Sequence, residues 1–160
     1  MVAAAPAQLA EFAASLRNEH HALRAFVALL ETEQNALVEG QTDELLDLAD
    51  SKTRLIDQLN QLGAIRKRFQ SQHSDPATAD NLEAWLRQYA AAELPLWNEM
   101  RQLAARAQQL NQTNGELIQV KLRHNQQALA VLHNAAHSAS LYGRDGQHNL
   151  PGMGRKLGAV

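Results

Sequence analysis

Leucine recurs at a fixed interval of seven residues along the first part of the chain: Leu9, Leu16, Leu23, Leu30 and Leu37. Two turns of an α-helix take about seven residues, so this spacing keeps one apolar stripe on one side of a long helix. Phe12 and Phe26 fill intermediate positions of the same stripe, and Pro6 suits the first helical turn. The pattern predicts a helix from Pro6 to about Glu39, stopped at Gly40, which can adopt the positive φ of a residue just past a helix end. Such a stripe must be covered, and the rest of the sequence supplies the cover.

Thr42 offers an N-cap for a second helix, with Asp43 and Glu44 at the positive end of its dipole. Leu45, Leu48, Leu55, Leu59, Leu62 and Phe69 follow at three- and four-residue steps. The short link at Gly40-Gln41 forces this helix antiparallel to the first, giving a hairpin with arms of about 40 to 50 Å at 1.5 Å per residue. Burying each leucine contributes about 1.5 to 3 kcal/mol, enough for two stripes to offset the ordering cost if further structure covers them.

The polar segment 70–80 contains Asp75-Pro76 and ends the second helix. Asp80 and Glu83 resemble a capping box for a short third helix carrying Leu82, Trp85, Leu86 and Tyr89, which is expected to end near Glu93-Leu94-Pro95. From Leu96 the pattern lengthens again, through Leu96, Leu103, Leu110 and Leu117, with Met100 and Ala107 between. The stripe then rotates and continues as Ile118, Leu122, Leu129, Leu132 and Ala136. The expectation is an all-α antiparallel bundle: an N-terminal hairpin, a short third helix and a long C-terminal helix, within one domain at 1–139. Residues 140–160 hold five of the chain's eight glycines and are expected to form a flexible tail.

Composition agrees with helices packed on helices, because hydrophobic residues reach 45% while aromatics are only 4%, leaving mostly Leu and Ala. A net charge of -2 and a pI near 6.4 provide no field to draw the chain onto nucleic acid or an anionic bilayer. The absence of cysteine removes thiol chemistry, and weakly favours a reducing compartment. The start lacks a basic n-region, and no run is apolar enough for membrane insertion, so the chain reads as cytoplasmic.

Catalysis finds little support. His133 and His137 lie four apart on one helical face, a spacing that suits zinc, but the intervening residues lack the metalloprotease glutamate and no third ligand is fixed nearby. His21-Ala22-Leu23-Arg24-Ala25 recasts the His-x-Leu-Lys-Gly pattern of histidine phosphotransfer bundles, with Ala25 where the small glycine belongs. Arg66-Lys67-Arg68 reads as a cationic cluster at a helix end. The reading is non-enzymatic, with no cofactor and no metal.

Asn111, Asn114 and Gly115 are more informative. Asn-Gly is ordinarily a turn signal and would break the helix in two, whereas the leucine spacing runs through it from Leu103 to Leu117 and favours continuity. In a continuous helix, Asn at the seam fixes register and Gly admits a neighbouring backbone. The segment Asn111-Gln112-Thr113-Asn114-Gly115-Glu116-Leu117-Ile118, with Leu141-Tyr142-Gly143-Arg144-Asp145-Gly146-Gln147 further on, resembles the FlgN-type flagellar export chaperones. Those segments span about a quarter of the chain.

The resemblance implies a cytoplasmic chaperone for flagellar type III secretion. It would bind hook-associated junction proteins, prevent their premature association and deliver them to a component of the membrane export gate. It also implies cargo contact through the C-terminal helical region, which nominates Asn114, Gly115, Leu117, Ile118, Leu122, Leu129 and Leu132, and export-gate docking at Tyr142. Independently, a helix whose apolar face rotates cannot bury both faces on one hairpin, so the distal stripe seeks a partner helix. That partner could instead be the chain's own hairpin or a second copy in a homodimer, and a coiled-coil adaptor is the structural rival.

Overall fold

A computed structural model describes residues 5–73 and 81–141. Four helices account for nearly all of them: α1 (Pro6–Glu39), α2 (Thr42–His73), α3 (Leu82–Tyr89) and α4 (Leu94–Leu141), with a single 3-10 turn at Ala91–Glu93 before α4. The all-α architecture expected from the sequence is present, and no strand occurs among the described residues. Nor is any described helix long and apolar enough to cross a membrane.

Pro6 occupies the first turn of α1, where its missing N–H costs no hydrogen bond, and Gln8 Oε1 accepts the Ala5 N–H at 2.9 Å. The far end closes at Gly40 with φ 76°, a left-handed conformation that glycine adopts without strain. The Gln41 N–H then returns to the Ala36 carbonyl at 2.9 Å. This turn is so tight that α2 starts on Thr42 itself, one residue earlier than an N-cap at Thr42 would allow.

Cross-helix contacts give the directions. Glu33 meets Lys52, Glu19 meets Arg66 and Phe12 stacks on Phe69, so α2 descends as α1 rises. From the 3-10 turn into α4 the order is the opposite: Arg17 meets Glu93, His20 meets Glu99 and Glu31 meets Arg106, so α4 runs parallel to α1. That direction is possible because α2 itself ends beside the start of α1, where Phe69 stacks on Phe12, and α4 begins at the same end, where Arg17 meets Glu93.

Contacts divide the chain into two units, Met1–Ile118 and Gln119–Val160. In the first, Phe12 and Leu16 of α1, Leu82, Trp85 and Leu86 of α3, and Met100 of α4 form one core cluster. Trp85 stands edge-on to both Phe12 and Phe69 at 5.4 and 5.5 Å, and its indole N–H donates to the His73 carbonyl at 3.2 Å. A second cluster joins Val27 and Leu30 to Ala107 and Leu110. In the second unit the described residues are helical throughout.

Three local expectations need correction. Asp80 lies outside the described residues, and Asn81 caps α3 instead, its side chain accepting the Ala84 N–H at 3.1 Å. Glu83, cast as the reciprocal member of a capping box, bonds Arg87 and Arg101. The third helix ends at Tyr89, where the 3-10 turn begins the approach to α4, rather than near Pro95. The leucines of α2 also differ from a buried stripe: Leu45, Leu48, Leu55, Leu59 and Leu62 remain half-buried, because α1 covers one side only.

Trp85 joins three elements through ring contacts, so Trp85→Ala is expected to cost about 3 to 5 kcal/mol. Urea unfolding followed by far-ultraviolet circular dichroism would show this as a lower midpoint, and an unchanged midpoint would contradict the packing described.

Candidate partner-binding site

The proximal part of α4 carries a seven-residue seam of Leu96, Met100, Leu103, Ala107, Leu110, Asn114 and Leu117. Met100, Ala107, Leu110 and Asn114 are buried, and Leu96, Leu103 and Leu117 half-buried. Asn114 is fully buried at 0% exposure, a costly place for an amide unless it finds partners. Its Nδ2 donates to the Leu30 carbonyl at 2.9 Å and to Glu33 Oε2 at 2.7 Å. Glu33, also buried, takes a second bond from Lys52 Nζ at 3.0 Å. One amide thereby links α4 to α1, and through Glu33 to α2. The Asn114 Oδ1 finds no donor among the described residues, so part of the burial cost stays uncompensated.

The helix passes through Asn114-Gly115 without a break, as the leucine spacing favoured. Gly115, however, faces open space: a Cβ placed there would meet nothing within 4 Å. No neighbouring backbone approaches it, contrary to the expectation for a seam glycine. A second, partly buried ion pair lies in the same unit, where Arg66 Nε donates to Glu19 Oε2 at 2.9 Å and the guanidinium sits 5.1 Å from the Trp97 ring centre. The Arg66-Lys67-Arg68 cluster therefore does not end a helix. Phe69 packs into the core and Gln70 is buried, which carries α2 on to His73.

Of the nominated residues, Asn114 faces inward and offers no surface to a partner. Gly115 is exposed, Leu117 half-buried, and Ile118, Leu122, Leu129 and Leu132 are exposed, the last two at 65%. At 100° per residue these four exposed side chains fall on one face. Val120 and Val131 are exposed too and fall on the opposite face, outside the stripe that periodicity selects. His21, His133 and His137 are exposed, and no group of three or more potential metal ligands gathers among the described residues. Tyr142 lies outside the described residues.

These features define a class, an all-α chain whose helices are joined by buried polar contacts and whose last helix presents apolar side chains to solvent. Comparison with known proteins supplies the family. Residues 1–149 match the family described as FlgN protein, and the chain belongs to that flagellar chaperone family. Two relatives described as "Flagella synthesis protein FlgN", one from Yersinia enterocolitica and one from a serotype O:8 strain of that species, are each 44% identical over 63 residues. That stretch is 39% of this chain, and the chain spans only 42% of the length of these curated relatives. No solved structure matches the chain.

Asn114 in the seam and its exposed neighbour Gly115 are expected to respond oppositely. Asn114→Ala removes both bonds and leaves a void, at a cost of about 1 to 3 kcal/mol, whereas Gly115→Ala gains roughly 1 kcal/mol of helix propensity. Paired urea titrations check this, and a destabilised Gly115→Ala would show that the glycine serves the fold after all.

Proposed function

We propose that the chain is a cytoplasmic flagellar export chaperone that captures hook-associated junction proteins on the distal face of α4. It keeps their association segments from pairing early and delivers them to a component of the membrane export gate. Family membership supports the general role. The observation that carries the site is the exposure of Ile118, Leu122, Leu129 and Leu132 on one face of a continuous helix. Solvent-exposed leucines at helical spacing gain free energy when an amphipathic helix covers them, and capture of this kind is reversible without nucleotide, metal or any other cofactor.

Within this reading, Gly115, Leu117 and Ile118 form the near end of the docking face, and Asn114 serves it indirectly by holding α4 in place. Tyr142 is the candidate contact for the export gate. The exposed His21 is followed by Ala25 rather than the glycine of a phosphotransfer site, and family membership supports the chaperone reading over that one.

Leu129→Asp and Leu132→Asp are expected to weaken capture of a purified junction protein at least tenfold, about 1.4 kcal/mol, with helix content nearly unchanged. Equal capture by both variants in a pull-down would reject the docking face. Tyr142→Ala is expected to leave capture intact and reduce export. Normal secretion of junction proteins by a strain carrying it would remove the docking role.

A further inference from the structure

The distal stripe contains a polar residue at its centre. Stepping by four and three from Ile118, the helix places Leu122, Asn125, Leu129, Leu132 and Ala136 on one face, and all are exposed. These steps are those of a coiled-coil seam, with Asn125 between two leucines. The chain already shows how such a residue is used. Eleven residues earlier, Asn114 occupies a seam position and is met by a backbone carbonyl and a carboxylate of the facing helix, at 2.9 and 2.7 Å. An Asn in an otherwise apolar seam is tolerated when the facing helix supplies such a partner, and it then fixes the register of the pair.

Charge points the same way. No acidic residue occurs between Glu116 and Asp145, while Lys121 flanks the stripe on one shoulder and Arg123, about 100° round the helix from Leu122, lies toward its far side. A partner helix with acidic flanks would be attracted along this face, and one with basic flanks repelled.

Resting on the docking face proposed above, we infer that the occupant is an amphipathic helix with acidic flanks and a carboxylate or amide in its own apolar seam, and that Asn125 selects its register. Asn125 is thus a specificity residue, distinct from the leucines that provide affinity. A helix with a wholly apolar seam would leave the Asn125 amide buried and unpaired, which is the penalty that discriminates against it.

Fluorescence anisotropy of the full chain with synthetic amphipathic helical peptides, each of roughly three heptads, tests this. One peptide carries glutamate flanks and a single Asp in a leucine seam, a second replaces that Asp by Leu, and a third replaces the glutamates by lysines. The wild-type chain should bind the first more tightly than the third by roughly three- to tenfold at low salt, as expected for a few exposed ion pairs. Lys121→Glu combined with Arg123→Glu should reverse that order. Asn125→Leu should shift the preference between the Asp and Leu seams by about tenfold toward Leu.

A seam preference unmoved by Asn125→Leu, or equal binding of the lysine-flanked peptide, would overturn the inference. The variant Leu129→Asp with Leu132→Asp separates the two levels. If it still binds the first peptide, the docking face itself is wrong; if it does not bind while Asn125→Leu changes nothing, the face stands and the register claim falls. Binding of none of the peptides would count against both. Sedimentation of the chain alone should give a monomer, and assembly lost in the Leu129→Asp, Leu132→Asp variant would assign the stripe to a second copy and overturn the acidic partner.

Discussion

Three helices share one buried amide and one buried carboxylate. Asn114 of α4 donates to the Leu30 carbonyl and to Glu33 of α1, and Glu33 in turn accepts from Lys52 of α2. An apolar side chain at position 114 could slide along the leucine seam by a turn at modest cost, since every seventh residue presents a similar surface. The amide cannot, because its donors must find the same carbonyl and carboxylate. This contact therefore holds α4 in one register on α1, and with it the axial position at which the apolar face rotates. Leu110, on that seam, is buried, whereas every residue from Leu122 to Ala139 is exposed, whichever side of the helix it occupies.

The seam on either side of this contact is built differently. Toward α3, Met100, Ala107 and Leu110 meet Phe12, Leu16, Val27 and Leu30 in two apolar clusters. The Glu19–Arg66 pair, its carboxylate buried and its guanidinium half-buried, adds a polar link between α1 and α2 there. Beyond Leu117 the seam position falls on Lys121, which is still half-buried, and burial ends after it. The leucines that follow lie one residue out of phase. Phase alone does not expose them, since at 3.6 residues per turn Leu132 falls on the same side of the helix as the buried Asn114; this part of α4 is exposed on all its sides.

Much of this was legible in the sequence because helix periodicity and end signals act locally. Leucine spacing located the long helices, Gly40 located the turn between α1 and α2, and unbroken spacing through Asn114-Gly115 outweighed a dipeptide that ordinarily makes turns. The misplaced details depended on neighbours distant in sequence. Asn81 rather than Asp80 caps α3, and Glu83 is drawn to Arg101, 18 residues away. The Arg66 cluster reads locally as a helix end because the partner that holds it, Glu19, is 47 residues away. The inward direction of Asn114 was suggested by its seam position, but the carbonyl and carboxylate that receive it lie on another helix. The open space around Gly115 has no sequence signal, since a close approach and an empty surface both permit glycine.

The central claim is that α4 divides its labour, with a proximal seam that builds the fold and a distal face that meets the cargo. Hydrogen–deuterium exchange of the full chain, with and without a purified junction protein, reads both parts at once. The account predicts that cargo slows exchange in 118–136, while amides of α1 and α2 keep their rates. Protection confined to the half-buried leucine face of α2, with 118–136 unchanged, would contradict it.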